Sequence, residues 1–137
     1  MTASTQTTRK PARVAHVSGT LSPREQGVLW DMEEHFWTSG AESARATTAP
    51  NAVMVFPYPP GILQGDQIWG HLRQKTGWRS VVMAERRVTQ CRDIAILTYR
   101  ASAEKADVPI YKALCASTYL NDDGTWLRVS HQQTAVA

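Results

Sequence analysis

From residue 21 onward the apolar positions follow two rhythms in turn. Across residues 22–39, Leu29, Met32, Phe36 and their neighbours recur at helical spacing. Ser22, Pro23 and Glu25 open that segment as a helix start: a capping serine, a proline suited to the first helical position, and a glutamate able to close a capping box. Gly40 reads as its stop. "ESARATT" predicts a short second helix, "AVMVF" (52–56) a strand, and "ILQG" a short return after "PYPPG". Asp66 then caps a third helix carrying Ile68, Trp69 and Leu72, ended by Gly77. Beyond it the rhythm changes to alternation, predicting strands near 79–89, 93–104, 109–120 and 125–134, with "NDDG" as the last turn. Helices followed by a run of long antiparallel strands imply an α+β domain with helices on one face of a curved sheet.

Composition narrows the class. The chain has 137 residues, enough for one domain, expected over 21–137. Residues 1–20 are polar, basic and weakly patterned, and read as a flexible tail. The net charge of +3 comes from Arg9, Lys10 and Arg13 in that tail, leaving twelve basic and twelve acidic residues after it. A nucleic-acid surface, which needs a basic patch on the folded domain, is therefore not expected. Nor is a membrane span, since no apolar run is long enough. The N-terminus lacks the apolar core of a secretory signal, which favours a cytoplasmic protein. Cys91 and Cys115 show no CxxC spacing and read as reduced thiols. The four histidines at 16, 35, 71 and 131 show no HxH or HxxxH spacing, so no metal is expected. Five tryptophans in so short a chain point to an aromatic core or pocket.

The segments "GILQG", "AILTYRA" and "STYLNDDGTWLRVSHQQT", with the helix–strand order, resemble the nuclear transport factor 2-like superfamily over residues 22–134. More narrowly they resemble its small bacterial polyketide-cyclase-like and ketosteroid-isomerase-like branch. That resemblance implies a cone: a bent sheet wrapped over about three helices, enclosing a deep apolar pocket, and often dimeric. The superfamily holds isomerases, cyclases and dehydratases beside non-enzymatic binding domains, so fold alone does not fix function. The acids and tyrosine of the ketosteroid isomerases are not matched. Phe56 stands before Pro57 where the general base would be, Met32 or Glu33 where the tyrosine would be, and Ala116 near the second acid. The chain is not expected to be a ketosteroid isomerase.

Within the cone, chemistry can be assigned to faces. On the first helix Glu33 falls about 40° from Leu29, inside the apolar arc, with Trp30 and Trp37 at about 80–100°; Glu34 lies about 140° away, outside it. A carboxylate buried among aromatics should have a raised pKa and suit general acid–base work. On the last strand Leu127, Val129, His131 and Gln133 share one face, and Trp126, Arg128, Ser130 and Gln132 the other. The Leu–Val face reads as the interior, so His131 would look into the pocket. Glu33 with His131 is the candidate catalytic pair, needing no cofactor. Trp30, Trp37, Phe56, Tyr99, Leu114, Leu127 and Val129 are the candidate ligand-binding wall, and "FPYPPG" its rim. The strand face bearing Tyr111 and Tyr119 is open: a three-residue turn at "DDG" puts it inside, a four-residue turn outside, and the isomerase alignment favours the second. Ile94, Ile96, Thr98 and Arg100 form an outer face apolar enough to suggest a homodimer.

Three functions fit. The first is an acid–base isomerase, cyclase or dehydratase acting on a small apolar or aromatic compound. The second is a non-catalytic ligand-binding module. The third is a dimeric interaction domain whose cavity is a packing defect.

Overall fold

The computed structural model describes residues 20–75 and 77–137; the expected tail lies outside them except for Thr20. Helix α1 spans Pro23–Thr38 and opens with the capping box: Ser22 Oγ accepts from Glu25 N, and Glu25 Oε1 accepts from Ser22 N. Its inward side buries Leu29, Trp30, Glu33, Phe36 and Trp37. Gly40 is not a left-handed stop. Its backbone is extended (φ −75°), and it is the N-cap of the next helix, α2, Ala41–Ala46. Strands β1 (Thr48–Val55) and β2 (Ile62–Gln64) follow, joined by the proline segment, in which Tyr58–Pro59 and Pro59–Pro60 are cis. Helix α3 spans Asp66–Arg73 with Gly65, rather than Asp66, at its N-cap. Gly77 also has a different task from ending a helix. A Cβ there would stand 3.2 Å from the Thr38 carbonyl oxygen, so the missing side chain lets the chain cross the end of α1, where Trp78 N donates to Trp37 O.

Strands β3 (Ser80–Cys91), β4 (Ile94–Glu104), β5 (Tyr111–Asp122) and β6 (Thr125–Ala135) complete a six-stranded sheet of order β2-β1-β6-β5-β4-β3. The sheet is mixed rather than wholly antiparallel, because β1 runs parallel to β6. The helices cover one face. There Ala95, Ala101, Ala103 and Ala113 leave room for the α1 rings to pack beside Leu97 and Tyr99. Complete burial of an aliphatic side chain such as Leu29, Met54 or Leu97 stabilises the fold by about 1.5–3 kcal/mol each. Among the described residues no helix is long and apolar enough to cross a membrane.

The β5–β6 hairpin decides which residues face the helices, and it departs from simple alternation. Asp122 pairs with Thr125, so the loop is two residues, Asp123 and Gly124, both at positive φ (55° and 93°), the geometry a tight twisted hairpin needs. Tyr119 pairs with Arg128, but Thr118 pairs with Ser130, leaving Val129 as a bulge. One extra residue reverses the alternation. Trp126 and Arg128 point inward before the bulge, and His131 and Gln133 point inward after it. The same pairing turns the Tyr111, Cys115, Ser117 and Tyr119 face inward, against the alignment-based expectation. Leu127 and Val129 fall on the other side with Leu114, which is 45% exposed. These three therefore lie outside any interior wall.

Inserting one alanine between Ser130 and His131 would shift the alternation by one residue and carry His131 and Gln133 to the outer face. Loss of their buried hydrogen bonds should cost at least about 2 kcal/mol in a denaturant titration. Unchanged stability would show that the register after the bulge does not set the facing.

Candidate functional site

The interior between α1 and the sheet holds a sealed charge cluster. Its centre is Glu33, which is fully buried. Oε1 accepts from Tyr119 Oη at 2.6 Å. Oε2 accepts from Tyr99 Oη at 2.5 Å and from Ser117 Oγ at 2.5 Å, with His131 Nδ1 3.3 Å away. Arg128 is buried completely beside it, Nε standing 4.0 Å from Oε1. The arginine's other nitrogens are engaged: Nη1 donates to Thr48 Oγ1 at 2.9 Å, and Nη2 donates to Tyr119 Oη at 2.7 Å and the Met32 carbonyl at 3.1 Å. Its guanidinium also lies 4.5 Å over the Phe36 ring. Tyr99 Oη in turn accepts from Trp37 Nε1 at 2.8 Å.

These neighbours reverse the expected titration of Glu33. Burial alone would raise its pKa. The hydrogen bond and positive charge that His131 can offer, the charge of Arg128 and the Ser117 hydroxyl together outweigh burial and lower it to about 2. The carboxylate is thus held ionised, not poised near neutrality. Tyr99 and Tyr119 are pushed well above the usual phenol range, by burial first and then by the adjacent carboxylate, so both keep the protons they donate. Burial and Glu33 likewise push the Cys115 thiol up to about 12.

Beside the cluster lies a cavity of about 280 Å³. Its wall includes the rings of Phe36, Trp37, Phe56, Trp78 and Tyr111 and the prolines 57, 59 and 60. Its floor is polar: Tyr111 Oη donates to Gln133 Oε1 at 3.0 Å, and Gln133 Nε2 lies 3.0 Å from His131 Nε2. With His131 in its neutral form the network is satisfied when that amide donates to His131 Nε2, Nδ1–H donates to Ser117 Oγ at 2.6 Å, and Ser117 donates to Glu33. His131 is 1% exposed and flanked by Phe36, Phe56 and Trp37. It sits immediately behind the cavity, with Gln133 between.

The candidate residues separate into three positions. Glu33 and His131 come together, but behind the floor. Trp37 and Phe56 line the cavity. Tyr99 is buried in the cluster, and Trp30 packs edge-on against it at 5.6 Å, beneath the Arg86 guanidinium. Leu114, Leu127 and Val129 stand on the opposite face of the sheet for the register reason given above. Arg128, assigned by alternation to the outer face, is the most consequential residue that reasoning missed. Ser117, His71, Lys75, Trp78 and Lys105 also went unassigned; of the last four, Lys105 joins the 71–78 stretch only in the fold. Among the described residues no three His, Cys, Asp or Glu side chains converge to hold a metal ion.

No family model matches the chain, and no curated protein matches it in sequence. Solved structures do. A protein provisionally assigned as a ketosteroid isomerase from Parabacteroides distasonis superposes with a TM-score of 0.71 at 16% identity, over 84% of this chain and 89% of that one. An NTF2-like protein from Cytophaga hutchinsonii gives 0.69 at 14%, over 85% and 100%. The CaMKII hub of S. rosetta gives 0.68 at 13%, over 86% and 100%. At such identities the likeness establishes architecture and nothing about chemistry.

Glu33→Gln should destabilise the protein by about 3–5 kcal/mol, because it leaves Arg128 buried without its counter-charge. A carboxyl lowered from 4.5 to about 2 stabilises the folded state fully above the unfolded value, and that contribution is lost as pH falls towards 2. It amounts to about 3 kcal/mol. Wild-type stability should therefore drop between about pH 5 and pH 2, and denaturant titrations of the variant should lack that share of the slope. Parallel pH profiles would count against an ionised Glu33.

Proposed function

We propose that this chain, a nuclear transport factor 2-like fold, binds a small, largely apolar or aromatic molecule in its cavity without converting it. The observation that carries this reading is the arrangement of the floor. The cavity offers rings, prolines and the Tyr111–Gln133 pair to an occupant, while the Glu33–His131 pair is closed off behind Gln133. An apolar wall with a few oriented polar groups is the usual form of a small-molecule site. A carboxylate held near pKa 2 and engaged by three hydroxyls is a weak base at neutral pH, which counts against general-base chemistry at Glu33.

A second reading has one specific observation in its favour. His131 Nε2 is a single hydrogen bond behind the floor, so movement of Gln133 would admit a substrate to it. The protein would then be a cofactor-independent isomerase, cyclase or dehydratase. Self-association is compatible with either reading. The outer sheet face presents Ile94, Ile96, Leu114, Leu120 and Leu127 on neighbouring strands, and we assign it to a homodimer.

A thermal-shift screen with aromatic and apolar metabolites tests the binding reading. A ligand at a hundredfold excess over its Kd should add about 2.7 kcal/mol, a rise of several degrees. Silence across the panel would count against a binding cavity. Disappearance of a hit compound on incubation, followed by proton NMR, would favour the enzyme. For the dimer, sedimentation should find two copies in the wild type and one in Leu114→Glu; a wild-type monomer would remove that assignment.

A further inference from the structure

One carboxamide stands at the floor of the cavity, and its hydrogen-bonding capacity is only half used. Gln133 lines the recess and is 9% exposed. The β5–β6 register sets Ser117 opposite His131, Cys115 opposite Gln133 and Ala113 opposite Ala135, with Tyr111 next along β5. Tyr111 and His131 therefore flank Gln133 from opposite directions along the sheet. Tyr111 Oη donates to Oε1 at 3.0 Å, and Nε2 lies 3.0 Å from His131 Nε2. A carboxamide has two N–H donors and two carbonyl lone pairs. One of each remains without a partner among the described residues. Turning the amide over exchanges the two bonds and leaves the same count.

That remainder constrains the occupant. A molecule that fills the recess shuts Gln133 off from solvent, and a buried donor or acceptor without a partner is costly. The side chain cannot turn away without breaking its bonds to Tyr111 and His131. A hydrocarbon leaves both groups unmatched, and a ketone or ester supplies an acceptor only. The charged groups on the lining lie towards solvent: Lys75 is exposed, and Lys105 is half-buried with its ammonium 4.4 Å over Trp78. Burial, and then the charge of Lys75, lower the pKa of His71, so that ring also meets the recess neutral. At about 280 Å³ the recess is at the small end of ligand sites. We infer that the ligand is a neutral aryl lactam or aryl carboxamide of one or two rings. Its ring lies among Trp37, Phe56, Trp78 and Tyr111. Its amide gives an N–H to Gln133 Oε1 and takes one from Gln133 Nε2. This inference rests on the binding reading above and adds the group that orients the occupant.

The test is calorimetric titration of the full chain with isoquinolin-1-one, a bicyclic lactam, and with isocoumarin. Isocoumarin is the matching lactone, with the same two rings and an oxygen in place of the N–H. The expected result is lactam binding at least about tenfold tighter than lactone, since the lactone sets a lone pair against that of Gln133. In Gln133→Met, with its melting temperature as the folding control, the ratio should fall below about threefold. A second readout needs no variant. In carbon-13-labelled wild type, the Gln133 carboxamide carbon should move downfield with the lactam and not with the lactone. Equal affinities for lactam and lactone would overturn the inference and leave the binding reading standing. A preference that survives in Gln133→Met, or a carboxamide carbon unmoved by the lactam, would also overturn it. Binding of neither compound would count against the binding reading and the inference together.

Discussion

The interior is organised around one buried carboxylate. Glu33 carries a full charge into a space closed to solvent, which is tolerable only because Arg128, three hydroxyls and the His131 ring surround it. Each partner comes from a different part of the sheet. Tyr99 is on β4, Ser117 and Tyr119 are on β5, and Arg128 and His131 are on β6. The carboxylate therefore fixes the rotation of α1 against three strands at once. A rotation of α1 would strand an ionised oxygen among rings, a far larger penalty than a slipped leucine would bring.

That anchoring shapes the cavity as well. Trp37 lies one turn beyond Glu33 on the helix and donates its indole N–H to Tyr99, so the ring that lines the recess is oriented by the same cluster. Phe36, beside it, is held under the Arg128 guanidinium. The wall is thus preorganised, which lowers the ordering cost an occupant must meet on entry. Trp78 reaches the opposite side because Gly77 lets the chain pass close over the end of α1.

The sequence made the scaffold readable wherever local chemistry decides it. Ser22, Pro23 and Glu25 announce α1, helical spacing puts Glu33 inside the apolar arc, and alternation finds β4 and β5. It failed at β6 because a bulge is a property of a pair of strands. Nothing local in "WLRVSHQ" distinguishes an extra residue from a continuing strand, and a shift of one reverses every later side chain. Unbroken alternation puts Leu127, Val129 and His131 on one face; the bulge keeps His131 inside and leaves Leu127 and Val129 outside. The titration of Glu33 is hidden from the sequence on similar grounds. Burial can be guessed from a helix face, but the groups opposing it, Ser117, Arg128 and His131, sit 84 or more residues away in the chain.

Gln133 gives the molecule a distinctive boundary. From the cavity inward, the hydrogen-bonded chain runs from Tyr111 through Gln133, His131 and Ser117 to Glu33. Every member except one carries a group that can pass a proton along. The carboxamide has no such group at ordinary pH, so it connects the chain mechanically and interrupts it as a proton wire. Cavity and charge cluster can therefore share geometry without sharing protons. The same scaffold stands one residue from the opposite behaviour, because a carboxyl group in place of that amide would close the wire and open the buried acid to whatever the cavity holds.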